Sequence, residues 1–250
     1  SPKENGFDWV LDRLLAGMAV TAGDIAAMGG GGLLMEIPTR PQPREAVATL
    51  VEPRVHVVLL AAGRSSRMGG PNKLMALFEG KPLIRRAARR ALASRAKGVT
   101  VVTGHQAGRI GEALFGLDVR TVHNPDFASG LSGSLKAGVA SVPDDAGGAL
   151  VVLGDMPGIT TRELDLLIGA FEKSGGTAIV RACHNGKRGN PVLLPRSLFH
   201  AVATLQGDTG ARHLVEGEGL NVIDVEVGHA AGVDVDTREA MESAGGVLQD

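Results

Sequence analysis

Asp155 follows the most apolar run of the chain, Ala149-Leu150-Val151-Val152-Leu153, with only Gly154 between them. A carboxylate at the end of a buried strand points into whatever crevice lies there. Magnesium takes one or two carboxylates together with substrate phosphates and water, so Asp155 reads as a metal ligand. On its own it fits a turn-capping role equally well. A second candidate is the carboxylate pair in Val233-Asp234-Val235-Asp236-Thr237. Alternation puts Asp234 and Asp236 on one face of an extended segment, and Asp236 is the candidate to complete the metal site. The competing reading is a cap for a helix opening at Thr237-Arg238-Glu239.

Metal-held phosphate needs a cradle, and one candidate follows the first strand. Val57-Val58-Leu59-Leu60 runs into Ala61-Ala62-Gly63-Arg64-Ser65-Ser66-Arg67-Met68-Gly69-Gly70-Pro71-Asn72-Lys73. Small residues at 61–63 allow close backbone approach to a ligand. Arg64, Arg67 and Lys73 add cations, and exposed N–H groups plus cations suit a polyphosphate. The spacing is not that of a P-loop, because Met68 stands where the second glycine belongs. It is not G-x-G-x-x-G either, since position 65 is Ser. An ordinary mobile loop is the plain alternative. A second cradle is the helix start after Gly130-Leu131-Ser132-Gly133-Ser134. Its N–H groups and positive dipole end can hold phosphate, ribose or base, or simply be capped.

The elements that position these residues alternate regularly from Val55 onward. The apolar runs predict strands at Val55–Leu60, Val99–Thr103, Val119–Val122, Ala149–Leu153, Thr177–Arg181, Pro191–Leu194 and Asn221–Val225. Amphipathic periodicity predicts helices near 82–95, 106–115, 131–141, 160–173, 196–205 and 209–216. Buried strands alternating with helices imply a mostly parallel sheet covered on both faces, a Rossmann-like α/β three-layer sandwich. Ligands in such folds bind beyond the carboxyl ends of the strands, where both cradles and Asp155 fall. Arg85, Arg86, Arg89 and Arg90 lie opposite the apolar stripe of their helix and read as a solvated face.

Composition narrows the classes. The chain of 250 residues is 44% apolar with a net charge of −1, so it can bury a full core and carries no basic excess for nucleic acid. Aromatic residues make up only 3%, too few for base-stacking platforms. Cys183 is the sole cysteine, which excludes an intrachain disulfide and a multi-cysteine zinc site. With no apolar run of membrane length and no signal-peptide pattern, a cytoplasmic location is expected. Residues 1–50 differ in texture. They carry helical spacing at Phe7, Val10, Leu11, Leu14 and Leu15, then a Gly stop and a Pro-rich linker. They read as a helical tail and linker ahead of a domain over 51–250.

Taken in order, the motifs resemble the nucleotidyltransferases of molybdenum cofactor maturation. Leu60-Ala61-Ala62-Gly63 with Arg67-Met68-Gly69 and Lys73 is similar to that family's nucleotide-binding signature. Gly130-Leu131-Ser132-Gly133-Ser134-Leu135 resembles its second nucleotide-contacting turn, and Gly154-Asp155-Met156-Pro157 its metal strand end. Arg188-Gly189-Asn190-Pro191, Gly207-Asp208-Thr209-Gly210-Ala211-Arg212 and Asp234-Val235-Asp236-Thr237 resemble its later motifs. The Ala62 form of the loop is most similar to the cytidylyl branch. The resemblance implies transfer of CMP from CTP to molybdopterin, with magnesium held by Asp155 and Asp236. It implies nucleotide contacts at 60–64, Lys73, Ser132 and Ser134, charge neutralisation by Arg67 and Lys73, and cofactor contacts at Arg188, Asn190 and Arg212. Residues 1–50 resemble the end of a molybdopterin-binding domain, and a recipient molybdoenzyme is an implied partner. Guanylyl transfer, transfer to a sugar phosphate, and a non-catalytic role in cofactor insertion are the rival readings.

Overall fold

The computed structural model describes residues 53–65, 72–205, 221–232 and 235–248, all inside the unit Thr49–Asp250. The expectations for residues 1–50, Arg67, Asp234, Arg212 and the helix near 209–216 lie outside the described residues.

Strands β1 (Val55–Ala61), β4 (Val99–Thr103), β5 (Arg120–His123), β6 (Gly148–Leu153), β7 (Ile179–His184), β8 (Lys187–Pro195) and β9 (Val222–Glu226) form one sheet. Their order is β5-β4-β1-β6-β8-β7-β9, and β2 (Leu77–Phe78) with β3 (Lys81–Pro82) makes a separate small hairpin. Every residue of β1 and β4 is buried, as expected for strands covered on both faces. Side chains alternate across the pleat. Val57 and Leu59 therefore meet helices α1 (Leu83–Leu92), α2 (Ala107–Leu114) and α4 (Thr161–Lys173) on one face. Val58 and Leu60 meet α3 (Leu131–Ala140) and α5 (Phe199–Ala203) on the other. A smaller cluster of Phe78, Leu83, Val235 and Met241 fastens the β2–β3 hairpin to α6 (Arg238–Ser243). The three-layer α/β architecture is thus as the sequence predicts. No described helix is long and apolar enough to cross a membrane.

Two local readings are corrected. The predicted strand Pro191–Leu194 lies within β8, which is longer and runs antiparallel to both β6 and β7. Asn185 and Gly186, at φ 49° and 73°, make the tight turn between β7 and β8, the conformations an Asn-Gly hairpin requires. This reversal brings the start of β8 to the edge where β1 and β6 end. Val151 pairs with Val192, and continuing that register sets Asn190 opposite Leu153.

The second correction concerns the arginines of α1, which are not a solvated face. Arg85 donates to the carbonyls of Ala113 and Phe115 at 2.8 and 2.9 Å, Arg86 to Phe78 O at 3.1 Å, and Arg90 to Pro157 O and Ile159 O, both at 2.7 Å. Only Arg89 is exposed. A guanidinium carries five donors in a fixed fork, so it satisfies carbonyls orphaned at the end of α2 and in the turn after β6.

The contact of α3 with the sheet is set by Gly138. A Cβ there would lie 2.3 Å from Val58 Cγ1 and 3.0 Å from Val102 Cγ2. Gly138→Ala is expected to cost about 1–3 kcal/mol from overpacking, less about 1 kcal/mol regained from helix propensity. Urea unfolding measures it; a variant more stable than the parent would contradict this close packing.

Candidate active site

At the end of β1 the backbone passes from buried Ala62 to exposed Gly63 and Arg64. Beside it, Gly154 N donates to Leu60 O at 2.9 Å. A Cβ on Gly154 would stand 3.0 Å from that oxygen and 3.2 Å from Leu74 Cδ2, so the smallest residue lets the two strand ends close up and presents Asp155. Val235 N then donates to Asp155 O at 3.1 Å, which lays the segment carrying Asp236 alongside.

Lys73 joins the two carboxylates. Its ammonium donates to Asp155 Oδ2 and, at 2.5 Å, to Asp236 Oδ1. A 3-10 turn, Lys73–Met75, aims it, with Asn72 as its cap. The Asn72 side chain accepts from Leu74 N at 3.0 Å and donates to Gln106 Oε1 at 3.2 Å. Ser65 Oγ accepts from Lys73 N at 3.2 Å. Ser65, Asn72 and Gln106 are positioning residues that sequence reasoning missed. Asn before a short helical turn is an N-cap signal; nothing local marks Gln106, which sits at φ 54°.

Burial alone would pull the Lys73 pKa down, but the Asp155 and Asp236 carboxylates outweigh it and hold it above its ordinary value. The other Asp155 oxygen, Oδ1, is buried and has no hydrogen-bond partner. Such an atom is costly. Two carboxylates, one with an unsatisfied buried oxygen, form a donor set that suits a hard divalent cation. Among the described residues no group of three or more His, Cys, Asp or Glu assembles a larger cage, and magnesium characteristically fills its remaining positions with water and substrate phosphates.

These groups border a cavity of about 370 Å³. Leu60, Ala61, Ala62, Gly63, Arg64, Lys73 and Asp155 line it, and so do Phe127, Gly130, Leu131 and Ser134 from the segment that leads into α3. Gly130, at φ 113°, turns the chain into α3, a conformation that favours glycine. Ser134 Oγ accepts from Asn124 Nδ2 at 3.1 Å and keeps its own O–H to give. Arg64 stands 5.8 Å from the centroid of Phe127, and the His105 ring lies 6.0 Å away on that ring. Phe127 is a further wall that sequence reasoning did not single out.

The structure therefore brings Leu60, Ala61, Ala62, Gly63, Arg64, Lys73, Ser134 and Asp155 together, with Asp236 joined through Lys73. Ser132 is 4% exposed and is not part of the cavity wall. Arg188 is exposed and Asn190 half-buried on β8, at the same sheet edge but outside this cavity. Between them a Cβ on Gly189 would lie 2.1 Å from Ala231 O, so only glycine lets β8 cross the 228–232 turn.

A doubly covered sheet with a small-residue loop, a lysine and paired carboxylates at its carboxyl edge defines a nucleotide-binding α/β domain. Residues 57–222 match the MobA-like NTP transferase domain, and the chain belongs to that family. It is 31% identical to nicotine blue oxidoreductase of Paenarthrobacter nicotinovorans, covering 76% of this chain and 95% of that protein. It is 30% identical to molybdenum cofactor cytidylyltransferase of Escherichia coli, covering 57% and 70% respectively. Among solved structures, Rv0371C of Mycobacterium tuberculosis in complex with manganese superposes with a TM-score of 0.66 at 24% identity, covering 76% of this chain and 97% of that one.

Proposed function

We propose that this protein transfers CMP from CTP to the terminal phosphate of a molybdopterin-type cofactor and releases pyrophosphate. The observation that carries the reading is the Lys73 ammonium gripped by Asp155 and Asp236 at the wall of a loop-lined cavity. The backbone of 61–63 holds the nucleotide, and Arg64, Arg67 and Lys73 neutralise its phosphates. Asp155 and Asp236 would hold magnesium, which supplies charge neutralisation at the phosphates as they rearrange. A phosphate oxygen of the acceptor attacks the α-phosphorus of CTP. The new P–O bond forms as the bond to the β-phosphate oxygen breaks, and pyrophosphate leaves with the electron pair. The attacking phosphate is already largely ionised near neutral pH, so the chain needs no general base; positioning and charge stabilisation carry the step.

Arg188, Asn190 and Arg212 are assigned to the acceptor. The cytidylyltransferase relative supports the reaction, and the manganese complex of a protein with the same fold supports a divalent cation. The oxidoreductase relative makes a reaction-specific test necessary. A turnover screen of the four NTPs with molybdenum-loaded and metal-free molybdopterin provides it. Pyrophosphate formed with CTP is expected, and its absence with every pair overturns the reading.

Base preference turns on Ala62. Its methyl lies only 2.8 Å from where a Cβ on Gly104 would stand, and that Cβ would also meet Phe127 at 2.5 Å, so the wall here is closely packed. A pyrimidine needs less room than a purine. CTP should be preferred to GTP, and Ala62→Gly should narrow the gap by about 1–3 kcal/mol. Competition between the two nucleotides reads this directly; equal use of GTP by the unmodified protein contradicts it.

A further inference from the structure

A second cavity, of about 490 Å³, opens beside the turn that follows Asp155. It shares no lining residue with the first. Phe78, Glu79, Arg86, Pro157, Gly158 and His229 are among the residues that line it. Its volume is in the usual range for a small-molecule site. The apolar surfaces of Phe78 and Pro157 suit a flat ring, and Arg86 brings a guanidinium to the lining with its ion-pair partner Glu79 beside it.

Arg86 is built in. Its side chain is 18% exposed, its guanidinium lies 5.9 Å from the Phe78 centroid, and Nη1 donates to Phe78 O at 3.1 Å. Nη1 also meets Glu79, whose side chain is 84% exposed and open to water. Both bonds run through one nitrogen of a group with five N–H donors. Arg90, one turn further along α1, gives its guanidinium to Pro157 O and Ile159 O. Burial first, and then the Arg86 charge, lower the Arg90 pKa, so two like charges stand one helical turn apart behind Pro157. His229 adds an exposed imidazole, with the His184 ring 5.8 Å away.

We infer that this cavity binds a small organic anion, a phosphate ester of a flat ring, with Arg86 and His229 on the phosphate and Phe78 and Pro157 against the ring. The site is separate from the nucleotide cavity and stands whether or not the transferase reading holds.

Titration of the full chain with phenyl phosphate, followed by calorimetry, tests this. Saturable binding is expected. Arg86→Gln should weaken it about tenfold or more, as loss of a charge-assisted hydrogen bond does, and His229→Ala should weaken it severalfold. Lys73→Ala should leave it unchanged. Binding that disappears with Lys73→Ala and survives Arg86→Gln places the phosphate in the nucleotide cavity and overturns the proposal, as does no binding at all. Because Arg86 also holds a backbone carbonyl, the exposed His229→Ala decides the case if Arg86→Gln fails to fold: unchanged affinity overturns the proposal.

Discussion

Asp155→Asn is expected to abolish nucleotidyl transfer while the fold survives. The substitution keeps the side chain's size and an acceptor for Lys73, and it removes the negative charge at the end of β6. The buried Oδ1, which no protein donor satisfies, is the atom the account gives to a divalent cation. Losing an anionic ligand at the reacting phosphates should cost several kcal/mol of transition-state stabilisation, a loss of about a thousandfold or more in kcat. Thermal unfolding and pyrophosphate release, measured on the same preparation, separate fold from function. A kcat near that of the parent would remove Asp155 from the metal site.

Lys73→Ala should act twice. In metal-free protein the variant leaves Asp155 and Asp236 facing each other without their shared cation. Breaking a fully buried pair costs about 3–5 kcal/mol; here the Asp236 side chain is 31% exposed, so a loss of roughly 1–3 kcal/mol is expected. Magnesium should restore more stability to the variant than it adds to the parent, since it supplies the missing positive charge. The sign with pH follows from the raised Lys73 pKa. The contribution is fully present below the unfolded lysine value, about 10.4, and is lost as pH rises through the folded value. The gap in Tm between parent and variant should therefore close only in strong alkali. With nucleotide bound, loss of the charge should cost about 1.5–3 kcal/mol in kcat/KM for CTP. Unchanged melting and unchanged CTP kinetics would take Lys73 out of the site.

Much of this was legible in the residues. Val99–Thr103 is a strand with the same bounds that the pattern predicts, because its residues are all β-branched Val and Thr and all five are buried. Helix α4 begins where expected because Thr160 and Glu163 form a capping box. What stayed hidden depends on partners distant in sequence. The direction of β8 is not written in its own apolar run; it comes from the Asn185-Gly186 turn and the pairing with β6. The arginines of α1 have the spacing of an exposed face, but their targets are carbonyls as far along the chain as Pro157 and Ile159. Lys73 was legible as a phosphate-loop cation. Its grip on Asp155 and Asp236 was not, since those residues lie 82 and 163 positions away. Phe127 carries no motif of its own, and only the packing around Gly104 places it at the cavity.

Nucleotidyl transfer is measured by pyrophosphate release from CTP in the presence of molybdopterin, with magnesium and again after chelation. With magnesium, stoichiometric pyrophosphate and a cytosine dinucleotide form of the cofactor are expected, and both should be lost on chelation. Turnover that persists without any divalent cation would contradict the account, as would a protein that releases no pyrophosphate from any NTP.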